Sequence, residues 1–158
     1  MSIDPAHVGR KYGPFTYELG LEKMREFAFA VGGGHPGMGA TEPPEGLDPV
    51  LYDVEAAKKG RHGGVIAFPS FAVVFAIRPF SAAATDPALG LNLLMLVHGE
   101  QELELFDVMR PGDVMTTRGE ITQVFQKAGK DFLTVVTEST NQAGKLVVRG
   151  TWTAVIRH

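Results

Sequence analysis

An imidazole beside a carboxylate can exchange protons with a substrate, and one short segment of this chain brings the two residue types together. His98 and Glu100 lie two residues apart in "LVHGEQELELF", which has the alternation of a β-strand. Because side chains at positions i and i+2 leave the same face of a strand, we expect His98, Glu100, Glu102 and Glu104 to share one face. His98 and Glu100 are therefore a candidate acid–base pair. The alternative interpretation is a polar strand face at a dimer interface.

Two other histidines lie in glycine-rich segments, His35 in "GGGHPGMGA" and His62 in "KGRHGGV". Each is a candidate proton carrier. The five histidines show no His-x-x-x-His or comparable spacing, and the chain has no cysteine. We therefore predict no metal site, and a thiolate nucleophile is excluded.

A small basic group, Lys58, Lys59 and Arg61, follows a short predicted helix. Ammonium and guanidinium groups at this spacing can contact phosphates or an acidic protein face. A solvated helix end is the alternative interpretation.

The overall composition is that of one globular domain spanning residues 1–158, with 44% hydrophobic residues and a formal charge of −3. A mild acidic excess argues against a broad nucleic-acid or anionic-membrane surface. The apolar runs fall short of the roughly 18 residues that a spanning helix needs, and no secretory signal is visible at the N-terminus. We expect a cytoplasmic protein.

The first half of the chain predicts two helices around a glycine- and proline-rich loop at 32–49. The first is amphipathic and ends at Gly32, which we expect to adopt the left-handed conformation. The second begins at the N-cap Asp53 and ends at Gly60, and Asp48 is likewise predicted to cap a helix start rather than to act as a base. The apolar face of the first helix comprises Leu21, Met24, Phe27, Ala28 and Val31. The loop "GHPGMG" has the wrong glycine spacing for a dinucleotide-phosphate cradle.

A nearly all-apolar run at 69–78, with Pro69 in its first turn, predicts a buried central helix. Four strand candidates follow, beginning with 93–106 and separated by "MRPGD", "KAGK" and "NQAGK", which have turn chemistry. Four long strands joined by tight turns predict an antiparallel sheet, and the buried helix is what that sheet would wrap. The predicted fold class is α+β.

Several stretches resemble the MaoC-like hydratase/dehydratases, in particular their N-terminal-type, FAS1-like dehydratase domain. They are "VGRKYGPFTYELGLEKMREFAFAVG", "DVEAAKKGRHGGVIAFPSF", "LVHGEQELELFDVMRPGDVMTTRGEI" and "VTESTNQAGKLVVRGTWTAVIR". They span nearly the whole chain in the family's order. The resemblance implies a hot-dog fold, a long antiparallel sheet around one helix, and a dimer whose sheets pair edge to edge.

Members of this family add or remove water across the 2,3 double bond of acyl thioesters carried on coenzyme A or acyl carrier protein. The catalytic form uses a D-x-N-P-x-H loop. One register places Gly33 and Met38 at the Asp and His positions of this pattern, and the other register places Gly46 and Leu51 there. Catalytic relatives also begin the central helix with a His-Gly pair, whereas this chain has Phe68 and then Pro69, which has no N–H.

The resemblance therefore implies an acyl-thioester-binding subunit that lacks the Asp/His pair, like the non-catalytic subunit of heterodimeric (3R)-hydroxyacyl dehydratases. No cofactor is expected beyond the carrier of the substrate, and the partner would be a catalytic MaoC-like subunit or a second copy. The residues expected to contact the acyl thioester are Gly64, Phe68, Ser70, Phe71 and Val74. The alternative is a self-sufficient homodimeric hydratase or thioesterase that uses substitutes such as His98 and Glu100.

Overall fold

The computed structural model describes residues 3–33 and 42–157. Nine regular elements lie in these ranges. They are β1 (Lys11–Glu18), α1 (Leu21–Val31), α2 (Val54–Lys59), α3 (Val73–Ala76), α4 (Arg78–Ala84), β2 (Leu96–Leu105), β3 (Val114–Lys127), β4 (Lys130–Thr140) and β5 (Leu146–Ile156). Short 3-10 turns, among them Pro49–Leu51, Pro69–Ala72 and Leu93–Met95, connect several of them.

The strands form one antiparallel sheet in the order β1-β3-β4-β5-β2, so β1 and β2 are its two edges. One face packs on the central helical segment 69–84, and we call the other face the outer face. Trp152 lies on the packed face, fully buried, and its indole N–H donates to the Thr137 hydroxyl at 2.9 Å. Phe71 and Phe75 from the central segment are also fully buried. The predicted antiparallel sheet around a buried helix is confirmed.

The central helix differs from its predicted bounds of 69–78. It begins with the turn Pro69–Ala72, continues as α3, and is followed by α4, which extends the segment to Ala84. Pro79 explains the division, because its ring nitrogen cannot donate to the preceding turn. The segment is also less uniformly buried than predicted, since Val73, Val74 and Ile77 are only partly buried.

Strand β1 was not predicted. Gly13 and Pro14 interrupt its pattern, and a register irregularity lies between Tyr12 and Phe15. A proline inside a strand is tolerated at a sheet edge, where no neighbour needs its N–H, and β1 is such an edge. The strand predicted at 93–106 is shorter, because Asn92 caps the Leu93–Met95 turn by accepting from the Leu94 N–H.

Helix α1 has the predicted bounds and, apart from Val31, the predicted apolar face, but it ends differently. Gly32 has a φ of −76°, so the left-handed conformation expected there is wrong, and the positive φ belongs to Gly33. Val31 is 46% exposed, whereas Phe29 is buried and its ring lies 5.5 Å from that of Tyr52. The chain after α1 is packed against Phe29, which the helical periodicity alone did not indicate.

No helix in the described ranges is long and apolar enough to cross a bilayer.

Candidate functional site

The start of the central helix is held in place from both sides. The Ala67 N–H donates to the Met109 carbonyl at 2.8 Å, and the Ile66 N–H donates to the Val50 carbonyl at 3.2 Å. The chain then turns at Pro69, and the Phe71 N–H donates back to the Phe68 carbonyl at 2.8 Å. Pro69 has no N–H and that of Phe71 is engaged within the turn, so this helix start offers few backbone donors to a ligand.

The predicted acyl-binding residues divide into two environments. Gly64, Phe68, Ser70 and Val74 are partly buried and reach the surface. Phe71 is fully buried, and its ring packs edge-on against that of Phe27, with a centroid separation of 5.3 Å. Contact between Phe71 and an acyl chain would therefore require neighbouring side chains such as Phe27 to move, and the site role of all five residues stays a prediction.

The loop positions expected to lack the acid–base pair are partly described. Gly46 lies in the loop with a φ of +81°, and Leu51 is buried in the turn that follows. Asp48 caps this turn through the Val50 N–H at 2.9 Å, and Asp53 caps α2 through the N–H groups of Glu55 and Ala56. The prediction that both aspartates are caps is confirmed. Gly33 ends the first described range, and His35 and Met38 lie outside the described residues.

His98 and Glu100 do not share a face of β2, so the predicted pair is wrong. His98 lies opposite Ala154 on β5, but Glu100 lies opposite Thr153, because Gly99 forms a bulge between them. Residues directly opposite in an antiparallel pair point to the same side, so His98 joins the packed face and Glu100 the outer face. The His98 ring accordingly lies 5.4 Å from the Phe80 ring.

Beyond the bulge, Glu100, Glu102 and Glu104 do share the outer face, as predicted. They lie opposite Thr153, Thr151 and Arg149 respectively.

His62 and the basic group lie together after α2. The Arg61 Nε donates to the His62 Nε2 at 2.8 Å, so that nitrogen acts as an acceptor and does not carry the ring proton. The Lys58 ammonium pairs with Glu55 at 2.7 Å, and Lys59 is exposed. Because Glu55 already pairs with Lys58, a phosphate at this helix end would interact more readily with Lys59 and Arg61 than with Lys58.

Arg110 also lies in this region, although the segment "MRPGD" that contains it predicts only a turn. Its Nη1 lies 3.8 Å from the position that a Cβ on Gly64 would occupy. Hydrogen bonds from the Lys145 ammonium and the Val108 N–H lower the pKa of nearby Asp107, and the positive charge of Arg110 adds to the effect. The contact joins residues distant along the chain, so no local pattern could have indicated it.

In the part of the chain that the structure describes, no three His, Cys, Asp or Glu side chains group so as to hold a metal ion.

A cavity of about 310 Å³ opens on the outer face, lined by Glu100, Phe125, Lys127, Lys130, Phe132 and neighbouring residues. Because the sheet separates this cavity from the start of the central helix, the two are distinct surfaces.

Known proteins resemble the chain over nearly its whole length. The family described as FAS1-like, dehydratase domain region matches residues 6–149. A UPF0336 protein of Saccharopolyspora erythraea is 36% identical over 158 residues, which cover 99% of this chain and 93% of the relative.

Among solved structures, a MaoC-like dehydratase superposes with a TM-score of 0.77 at 27% identity, covering 96% of this chain and 42% of its own. The C-terminally truncated HadBC (3R-hydroxyacyl-ACP dehydratase) complex from Mycobacterium tuberculosis superposes with a TM-score of 0.75 at 22% identity. That match covers 98% of this chain and 99% of the other. The sheet and its central helix are therefore the hot-dog fold that the sequence predicted.

Proposed function

Because the chain belongs to the FAS1-like dehydratase domain family of hot-dog hydratases and dehydratases, we propose that it is the acyl-thioester-binding subunit of an (R)-specific enoyl hydratase and lacks an acid–base pair of its own. The observation that supports this proposal is the loop beside the central helix: in the register that the structure describes, Gly46 and buried Leu51 would stand where the catalytic form has its acid and its base. A glycine and a leucine cannot move protons.

The start of the central helix supports the binding half of this proposal. Gly64, Phe68, Ser70 and Val74 reach the surface there, and the guanidinium of Arg110 lies beside Gly64. Apolar side chains would hold the acyl tail. Arg110, Arg61 and Lys59 would meet the phosphates of coenzyme A or of a carrier-protein arm.

The catalytic half would come from a partner subunit with the D-x-N-P-x-H loop. Its carboxylate and imidazole would deliver water to C3 of the enoyl thioester and a proton to C2. The HadBC structure is described as a complex, and its match to this chain supports a two-subunit arrangement. Dimer formation here is a proposal that rests on this likeness and on the open β2 edge.

The test is an enoyl-hydration assay on trans-2-enoyl-CoA substrates, with the chain alone and then with a D-x-N-P-x-H-bearing family member encoded beside it. The chain alone should leave the double bond unhydrated, and adding the partner should restore turnover. Robust hydration by the chain alone would overturn the proposal, and release of free thiol would identify a thioesterase instead.

Two variants sharpen this assay. Arg110→Ala should raise KM for the CoA substrate in the reconstituted complex by about tenfold and leave kcat nearly unchanged, because it removes a charge-assisted phosphate contact. His98→Ala is the matched control. It should leave kcat of the assembled complex unchanged, and a loss of kcat with the complex still assembled would restore His98 as a catalytic candidate.

A further inference from the structure

Strand β2 is a sheet edge with an unusual distribution of charge and apolar surface. It pairs with β5 on one side, and no strand in the described ranges pairs with its other side. Its outer face carries three successive acidic side chains, Glu100, Glu102 and Glu104, and all three are exposed. We call these three the acidic row.

Apolar side chains lie exposed at both ends of the acidic row. Leu94 is 94% exposed just before β2 begins, and Leu105 and Phe106 are nearly half exposed where it ends. Exposed leucines and a phenylalanine around an unpaired strand are typical of a surface that a partner covers.

The acidic row is poorly neutralised within the chain. Arg149 lies 3.8 Å from Glu104, but it also pairs with Glu138 at the shorter distance of 2.9 Å. In the described ranges Glu100 and Glu102 form no ion pair, although Lys127 and Lys130 line the same cavity as Glu100. The row therefore keeps most of its negative charge.

A second copy of this chain is a poor partner for this edge. Two copies paired antiparallel about a two-fold axis would form one continuous sheet with their outer faces on the same side. Directly opposite residues share a face, and the glutamates occupy every second position of that face-alternating strand. In any register in which the acidic rows of the two copies overlap, a glutamate of one copy therefore lies opposite a glutamate of the other. With the axis at Glu102, that residue faces itself and each Glu100 faces a Glu104. Like charges in direct cross-strand contact are destabilising.

We propose that the acidic row selects the partner of β2: it disfavours a second copy of this chain and favours a sheet edge of a different chain with Lys or Arg on the matching face. This deepens the proposed function by giving the chemistry of the partner subunit. The choice of partner follows from the acidic row itself, and only the claim that the assembly is active rests on the proposed function. The apolar ends would supply contact area, and the row would supply specificity and steer association.

The test uses this chain alone, through the charge-reversed variant E100K/E102K/E104K. Wild type and variant should each be monomeric at micromolar concentration by sedimentation equilibrium, because each row repels itself. Their equimolar mixture should form a one-to-one dimer. Association should be about tenfold tighter in about 50 mM salt than in about 500 mM salt, where the Debye length becomes shorter than the spacing between side chains.

Two further variants separate the local effect from net charge. E18K/E42K/E45K changes the net charge equally but leaves β2 intact, and it should not associate with wild type. E100Q/E102Q/E104Q removes the repulsion without adding attraction, and it should self-associate more tightly than wild type. Circular dichroism and thermal melts confirm that each variant is folded.

A salt-insensitive wild-type dimer paired through β2 would overturn the proposal, and so would a mixture that stays monomeric, because the row would then only block the edge. Neither result affects the enoyl-hydration test. An inactive wild-type homodimer that gains turnover with a partner would refute the acidic-row proposal and leave the proposed function standing.

Discussion

The two edges of the sheet are built in opposite ways. Edge β1 is interrupted by Pro14, which has no N–H, and the Arg78 guanidinium donates to its Thr16 carbonyl at 3.0 Å. Edge β2 runs for ten residues with a single bulge and carries exposed apolar and acidic side chains.

The difference fits the proposed assembly, in which this chain completes one edge itself and a partner covers the other. Proline, irregular register and hydrogen-bonded carbonyls all prevent further strand addition. Beyond its single bulge, the long strand β2, bordered by Leu94 and Phe106, has no such feature to prevent the addition of another strand. If so, substitutions near β1 should reduce the stability of the isolated chain, and those on β2 should mainly affect assembly.

The largest contrast is expected between two glycines. A Cβ on Gly119, in the strand beside β1, would lie 2.4 Å from the Pro79 Cβ, whereas one on Gly99 in β2 would lie 2.7 Å from the Val155 Cγ2. Pro79 is fixed in α4, but the Val155 side chain can rotate. Gly119→Ala should lower the free energy of unfolding by about 3 kcal/mol and Gly99→Ala by less than about 1 kcal/mol, measured by urea denaturation. Equal losses would show that β2 is packed as tightly as the β1 side.

A smaller effect is expected at Arg78. Its guanidinium caps the Thr16 carbonyl and lies 5.1 Å from the centre of the Phe15 ring. Arg78→Met should therefore cost about 1 kcal/mol in urea denaturation. Arg118→Met, at an exposed cation with no ion pair in the described ranges, is the control and should stay within about 0.5 kcal/mol. An unaffected Arg78→Met protein would mean that β1 is not held by this residue.

Leu94 should make almost no contribution to the isolated chain. Because its side chain is 94% exposed, Leu94→Ser should change the free energy of unfolding by less than about 0.5 kcal/mol. The same substitution in both components should weaken the dimer of wild type with the charge-reversed variant. Leu103→Ser is the control, since Leu103 in β2 packs against the core and its loss should destabilise the monomer. Unchanged dimerisation would place Leu94 outside the interface.

Much of the fold could be predicted because its signals are local. Gly112, Gly129 and Gly144 mark the turns and have positive φ, and the strands between them alternate apart from irregularities after Ile121 and Ser139. Strand β1 was missed because Gly13 and Pro14 break that alternation, although a proline is compatible with the edge position that the strand occupies.

The candidate site could be predicted less completely because its geometry depends on contacts between distant residues. His98 and Glu100 have the spacing of a shared face, but a bulge at Gly99 directs their side chains to opposite faces of the sheet. Alternation of residue types alone does not reveal a bulge. Arg110 reaches Gly64 only after two loops meet. The capping role of Asp53, by contrast, depends on the next three residues and was predicted correctly.

The last prediction concerns the alkaline pH range and Tyr12, which joins β1 to the loop after α4. Its hydroxyl donates to an Asp86 oxygen at 2.9 Å, and the Arg10 Nε donates to the same oxygen at 2.7 Å. Partial burial, with a further contribution from the hydrogen bond to Asp86, raises the pKa of Tyr12 from 10.0 to about 12. Below pH 10 the hydroxyl is protonated in both the folded and the unfolded chain, so stability there does not depend on its titration.

As pH rises from 10 towards 12, the unfolded chain loses the Tyr12 proton first, and the stability contributed by the raised pKa is lost. Tyr12→Phe should therefore show a shallower alkaline decline in stability than wild type. Tyrosinate absorbance should show a late titration step that is absent from Tyr12→Phe, and Asp86→Asn should shift that step towards pH 10 because it removes the acceptor carboxylate. If Tyr12 titrated near pH 10 in the wild type as well, the contact of Tyr12 with Asp86 would not be what holds the β1 edge in place.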